Sequence, residues 1–157
     1  FKKAIEAGAD MVMVAHIVYP NIMDEELPAS LSEEMITGVL RERLKFDGVV
    51  ISDDMDMGAI QKHYNMGEAA VRAVLAGTDI VSVCHSYERQ KQAYEGILKA
   101  VEDGTIPPER IDESVRRIIR LKLKYGLTDE PADPDALHNV VGTEEHQAVA
   151  DKAWGKE

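Results

Sequence analysis

A thirteen-residue pattern that occurs twice constrains this chain more than any other feature. Ala4-Ile5-Glu6-Ala7-Gly8-Ala9-Asp10-Met11-Val12-Met13-Val14-Ala15-His16 aligns with Ala73-Val74-Leu75-Ala76-Gly77-Thr78-Asp79-Ile80-Val81-Ser82-Val83-Cys84-His85, and seven of the thirteen positions are identical. Each copy reads as a helix end, a glycine stop, one linking residue, an aspartate and an apolar strand. Gly8 and Gly77 stand where a left-handed residue commonly ends a helix. A chain that repeats this unit alternates helices and strands.

A third copy of the same logic lies between these two. Ser30-Leu31-Ser32-Glu33 has the pattern of a capping box, and Met35, Ile36, Val39, Leu40 and Leu44 follow at helical spacing. Phe46-Asp47-Gly48 then turns the chain into Val49-Val50-Ile51-Ser52. Strands are therefore expected near residues 11–15, 49–52 and 80–84, adjacent in one curved sheet in chain order. Their continuous apolar runs predict parallel strands covered on both faces. Both an open doubly wound sheet and a (β/α)₈ barrel accommodate such units. No G-x-G-x-x-G follows any strand, which weighs against a dinucleotide-binding sheet.

After the third strand, one helix is expected from about Glu88, with Tyr94, Ile97, Leu98 and Val101 on its apolar face. Another is expected after Pro107-Pro108, with Val115, Ile118 and Ile119 as its stripe. Residues 128–135 read as a Pro- and acid-rich linker, and Glu144 to Trp154 as a short helix. Met11, Met13, Met55 and Met57 read as core filling, and Tyr125 and Trp154 as packing residues. A closed barrel needs roughly 200 residues or more, so three strands would make an incomplete one.

Charge and composition remove several classes of function. The net charge is −11 and no basic stripe is present, so nucleic acid is not an expected partner. No apolar run reaches the length of about 20 residues that spans a bilayer. The single cysteine, Cys84, excludes an internal disulfide and reads as a buried small hydrophobe. The chain opens at Phe1 without an initiating Met, which reads as a piece of a longer protein.

Ser52-Asp53-Asp54-Met55-Asp56 closes the second strand, at the end where parallel α/β proteins build their sites. A carboxylate fixed there is placed to attack an anomeric carbon, as in a retaining glycosidase. Capping of the next helix is an equal reading from spacing alone, with Asp54 or Asp56 as the cap for a helix near Met57. A shared cation is disfavoured, because adjacent Asp53 and Asp54 point to opposite sides of an extended chain. No histidine pair has zinc-ligand spacing such as H-E-x-x-H. His16 and His85 close matching strands. Each is either a donor or loop organiser at a sugar pocket or a strand-end histidine satisfied by backbone or water.

The segment Val39-Leu40-Arg41-Glu42-Arg43-Leu44-Lys45-Phe46-Asp47-Gly48-Val49-Val50-Ile51-Ser52-Asp53-Asp54-Met55-Asp56 resembles the active-site signature of family 3 glycoside hydrolases. Met13-Val14-Ala15-His16-Ile17-Val18-Tyr19-Pro20, Pro28-Ala29-Ser30-Leu31-Ser32 and Ala76-Gly77-Thr78-Asp79-Ile80 resemble the bacterial β-N-acetylhexosaminidase branch. The resemblance implies part of a (β/α)₈ TIM barrel: about three β/α units over residues 1–127, with residues 128–157 as an acidic tail. It implies a carbohydrate substrate, no cofactor and Asp53 as the nucleophile of a retaining exo-glycosidase acting on terminal β-N-acetylglucosamine. His16, Asp54 and His85 are further candidates for substrate contact. The family's Lys-His-Phe-Pro-Gly-His-Gly stretch and its Asp/His acid–base loop do not occur in these residues. The expected partner is accordingly the missing barrel half or a second copy, and the isolated chain is expected to be inactive. The alternatives are a β-glucosidase or β-xylosidase of the same family, or a non-catalytic sugar-binding α/β module.

Overall fold

The computed structural model describes residues 1–23, 26–127, 133–137 and 139–155. They form two compact units, Phe1–Tyr125 and Gly126–Glu157. The second unit has a short helix at Pro134–Leu137 and another at Glu144–Ala153, whose cap Thr143 accepts the His146 N–H. Most of the expected linker, residues 128–132, lies outside the described residues.

The first unit opens with helix α1 (Lys2–Glu6) and strand β1 (Met11–Val14). A π-helix, Glu34–Arg43, then leads into strand β2 (Val49–Ser52). Helices α2 (Gly58–Gln61), α3 (Met66–Ala76), α4 (Tyr87–Glu102) and α5 (Pro108–Lys124) follow. The strands pair in parallel, Met11 opposite Val49 through Val14 opposite Ser52. Gly77 ends α3 at φ 119°, and a Cβ there would also sit 2.9 Å from Ile36 and Thr37. Glycine is required at that turn twice over, by conformation and by space.

The expected third strand runs beside β2 but does not form a regular ladder. One parallel bridge joins Ile80 to Ile51, and Ser52 N–H donates to the Ile80 carbonyl. The next donor, Ser82 N–H, goes to the Ser52 hydroxyl instead of a carbonyl. A side chain has replaced a rung, so the segment stays alongside without being a strand.

The core lies between the sheet and the helices. Val12, Val50, Ile36, Leu40, Phe46 and Ala76 form one cluster under the π-helix. Met55, Ile60, Met66, Ala69, Ala70, Ala73 and Ala93 belong to another. Coverage on both faces holds for Val49 and Val50 but not for β1, whose Met11 and Met13 are 41% and 59% exposed. Their open face adjoins an apolar hollow of about 320 Å³ that includes Met13, Ile17, Tyr19 and Leu44. Of the four methionines expected in the core, only Met55 is buried. Trp154 and Tyr125 are exposed, and so is Cys84.

The two following helices pack differently from their apolar stripes. In α4, Ala93 and Ala100 are buried while Tyr94 and Leu98 stay exposed. The contact with α3 is so close that a Cβ at Gly96 would lie 2.6 Å from the Gly67 Cα. Small residues define this crossing because backbone meets backbone there. Gly96→Ala is therefore expected to destabilise the protein by about 1–3 kcal/mol, read as a lower urea midpoint at unchanged slope. In α5, Pro108 fills the first position, where no N–H is needed. Val115 and Ile119 are exposed, and the buried residue on this helix is Ser114. Charge seats this helix.

Candidate active site

The two ends of the sheet have different chemistry. At the amino ends of the strands, three aspartates meet the basic face of α5. Asp79 has no exposed side-chain surface; its Oδ2 accepts from Arg41 at 2.6 Å and from Val50 N–H at 2.9 Å. Its Oδ1 accepts from Ser114 at 2.8 Å and from Arg117 at 3.3 Å, with Arg110 at 3.6 Å. Asp47 pairs with Arg117 and Arg120, and Asp10 with Lys124 and Tyr125. Burial pulls Arg41 and Arg110 below the ordinary guanidinium value, opposed by Asp79 and reinforced by the neighbouring cations. In a barrel, this end belongs to stability. The sequence signal was present: an aspartate before each strand, and bases at 110, 117, 120 and 124 on one helix.

At the carboxyl ends, β2 delivers Asp53, Asp54 and Asp56 into one hydrogen-bonded cluster. Asp53 N–H donates to the Val14 carbonyl at 3.0 Å, which continues the parallel ladder by one residue. Asp53 Oδ1 accepts the Asp54 N–H at 2.8 Å. Asp54 Oδ1 accepts from Asp56 N–H at 3.0 Å and Cys84 N–H at 2.9 Å. Asp54 Oδ2 lies 2.6 Å from His85 Nδ1, an ion pair whenever that imidazole is protonated. Asp56 is buried; it accepts from the N–H groups of His85 and Ser86 and pairs with Arg89 at 2.7 Å.

Neither Asp54 nor Asp56 caps the next helix, contrary to the spacing argument. Helix α2 begins at Met57 without a side-chain cap. Both carboxylates instead hold residues 84–86, whose backbone donors lack a neighbouring strand. Burial pushes each carboxyl up, but donors prevail. The N–H groups of Asp56 and Cys84, with His85, hold Asp54 below the ordinary carboxylate value. Arg89 and the N–H groups of His85 and Ser86 do the same for Asp56. For the exposed Cys84, desolvation and the Asp54 carboxylate push the thiol up, away from thiolate chemistry.

His16 is engaged through both ring nitrogens. Nδ1 lies 2.6 Å from the fully buried Ser30 hydroxyl, and Nε2 lies 2.9 Å from the Asp54 carbonyl. The Ser30–Glu33 pattern is thus not a capping box. Ser32 Oγ accepts the Met35 N–H at the start of the π-helix, and Ser30 serves the histidine. The His85 ring is largely exposed, with Nε2 on a side chain 79% accessible. Asp54, Asp56 and His85 offer ligand atoms within 4.8 Å of one another, the one grouping among the described residues spaced for a metal ion. Asp56 is already committed to Arg89 and two N–H groups. Within this cluster, sequence reasoning read Ser30 and Asp56 only as possible helix caps and did not single out Arg89.

Carboxylates gathered at the carboxyl ends of parallel strands are the arrangement in which α/β enzymes build their sites. Residues 1–121 match the glycosyl hydrolase family 3 N-terminal domain. The chain belongs to glycosyl hydrolase family 3. It is 34% identical over 163 residues to a β-N-acetylglucosaminidase/β-glucosidase of Cellulomonas fimi, covering 96% of this chain and 28% of that one. It is 45% identical over 85 residues to a β-hexosaminidase of Xylella fastidiosa, covering 54% and 25%. A solved family 3 β-N-acetylglucosaminidase from Paenibacillus sp. FPU-7 superposes with a TM-score of 0.84 at 42% identity, covering 97% of this chain and 29% of that one. The chain therefore spans about a quarter to a third of the length of these relatives.

Proposed function

We propose that this chain carries the nucleophile half of a retaining exo-glycosidase acting on terminal β-N-acetylglucosamine residues. The observation that carries the reading is Asp53. Its carboxylate sits at the end of a strand whose ladder it continues, with one oxygen held by the Asp54 N–H. In the first step, an Asp53 oxygen bonds to the anomeric carbon as the bond to the leaving oxygen breaks. The leaving oxygen takes a proton from an acid. Water then attacks the glycosyl ester, gives up a proton to the same group acting as base, and frees Asp53.

That acid–base group lies outside the carboxylates of this cluster. Asp54 and Asp56 are ionised and occupied by N–H groups and Arg89. The open apolar face of β1 is where the remaining strands would pack, and without them the 157 residues should not hydrolyse glycosides. The β-N-acetylglucosamine preference rests on the names of the relatives and on their similarity to this chain.

The test is a hybrid in which this chain replaces the aligned stretch of the Cellulomonas fimi relative. The hybrid is treated with a mechanism-based fluorosugar bearing a 2-acetamido group, digested and analysed by mass spectrometry. The expected label lies on Asp53. A label on Asp54 moves the nucleophile by one residue. Saturable binding with no label in an active-site-competent hybrid supports the binding-module reading instead.

A further inference from the structure

We propose that His16 is a positioning residue, held by Ser30 as the neutral Nε2–H tautomer, that fixes Asp53 through Asp54 and leaves Asp53 Oδ2 as the attacking oxygen. The inference rests on the reading of Asp53 as nucleophile. Its geometry stands independently.

A carbonyl oxygen only accepts, so the nitrogen 2.9 Å from the Asp54 carbonyl must carry a hydrogen. In the neutral ring, Nδ1 is then the acceptor, and the Ser30 hydroxyl 2.6 Å away is its donor. Ser30 is fully buried in the short 3₁₀ turn Ala29–Leu31. That turn is tied to the chain just past His16 by the Ala29 N–H to the Ile17 carbonyl, at 2.8 Å. The histidine is thus fixed at both ring nitrogens and anchored through Ser30.

Asp54 receives this constraint and passes it on. His16 holds its carbonyl, and Asp56, Cys84 and His85 hold its carboxylate. Its remaining polar group, the N–H, donates to Asp53 Oδ1. Asp53 N–H is fixed on Val14. Among the described residues, Asp53 Oδ2 accepts no hydrogen bond. Oδ1 is held while Oδ2 keeps its lone pairs for the anomeric carbon. With both ring nitrogens spent, His16 is neither a sugar donor nor a proton carrier in this arrangement.

Two measurements test this. Long-range ¹⁵N–¹H correlation on the 157-residue chain reads the tautomer directly; an Nε2–H His16 is expected, and an Nδ1–H His16 overturns the proposal. In the hybrid enzyme, His16→Leu should lower kcat on the order of 100-fold, the cost of a misplaced reacting group, with KM little changed. His16→Gln, which can present an amide donor to the same carbonyl, should restore most of that loss and keep both limbs of the pH–rate profile. A Gln variant as impaired as Leu and missing one limb would make His16 a proton-transfer group. A rise in KM at unchanged kcat would make it a sugar contact. Either result defeats the positioning role. Should the His16 variants not fold, Ser30→Ala removes the Nδ1 donor alone and should still lower kcat severalfold; a folded Ser30→Ala enzyme with unaltered kcat also defeats it. Absence of label on Asp53 in the unaltered hybrid would remove the nucleophile reading while leaving the tautomer result to stand.

Discussion

Asp53→Ala in the hybrid enzyme is expected to lower kcat by about 10,000-fold or more, with substrate binding still measurable. The expectation follows from covalent chemistry, since Asp53 Oδ2 accepts no hydrogen bond among the described residues while Oδ1 is held by the Asp54 N–H. Asp54 and Asp56 already accept backbone N–H groups, and Asp56 is buried against Arg89. The assay is hydrolysis of an aryl β-N-acetylglucosaminide, with Asp53→Asn as a near-isosteric control that keeps the contact to the Asp54 N–H. Asp54→Ala should also slow the enzyme, because it frees the Cys84 N–H and the His85 ring and loosens Asp53. The two variants separate by labelling: Asp54→Ala still takes up the fluorosugar on Asp53, slowly. Turnover that survives Asp53→Ala and vanishes in Asp54→Ala would place the nucleophile one residue on.

Asp79→Ala should be the most damaging change to stability, costing about 3–5 kcal/mol, as for removal of one partner from a buried ion pair. Arg41, Arg110 and Arg117 converge on this carboxylate from two helices, with side chains only 12%, 14% and 18% exposed. Removing Asp79 leaves three guanidiniums facing one another, and it takes the acceptor from the Val50 N–H and from the Ser114 hydroxyl proton. Urea unfolding of the chain with and without the substitution measures the cost. Asp47→Ala is the natural comparison. That aspartate is 70% exposed and its pairs are solvated, so its loss should cost under about 1 kcal/mol. Equal effects at the two positions would refute the central role of Asp79.

The β/α order was legible because glycines and strand-start aspartates recur at fixed spacing around apolar runs. Asp53 was legible as a strand-end aspartate, and its proposed role as nucleophile comes from family resemblance, because spacing alone left it tied with helix capping. Other features were hidden for physical reasons. The faces of α4 and α5 were legible only in part: Ile97 and Val101 pack on the core, but Tyr94, Leu98, Val115 and Ile119 stay exposed, because apolar periodicity assumes that large side chains make the contacts. Gly67 and Gly96 let two backbones touch, and arginines seat α5. The third strand stopped being regular because one serine hydroxyl replaced a carbonyl, a substitution that no periodicity records. Ser30 was read as a cap because its neighbours fit a local pattern, while its partner lies 14 residues away.

The clasp of α5 also sets an order of events in folding. Asp79 is joined to Arg117 over 38 residues, Asp47 to Arg120 over 73, and Asp10 to Lys124 over 114. Contacts so distant in sequence carry the largest loop-closure cost and form late. During synthesis, β1 and β2 emerge long before the helix that seals their starts. Until residues 110–117 are available, the carboxylate at position 79 has only Arg41 and the Val50 N–H as partners, and the starts of both strands wait for the rest of the helix. A chain that stops short of this helix keeps the Arg41–Asp79 pair and leaves Asp10 and Asp47 without their basic partners.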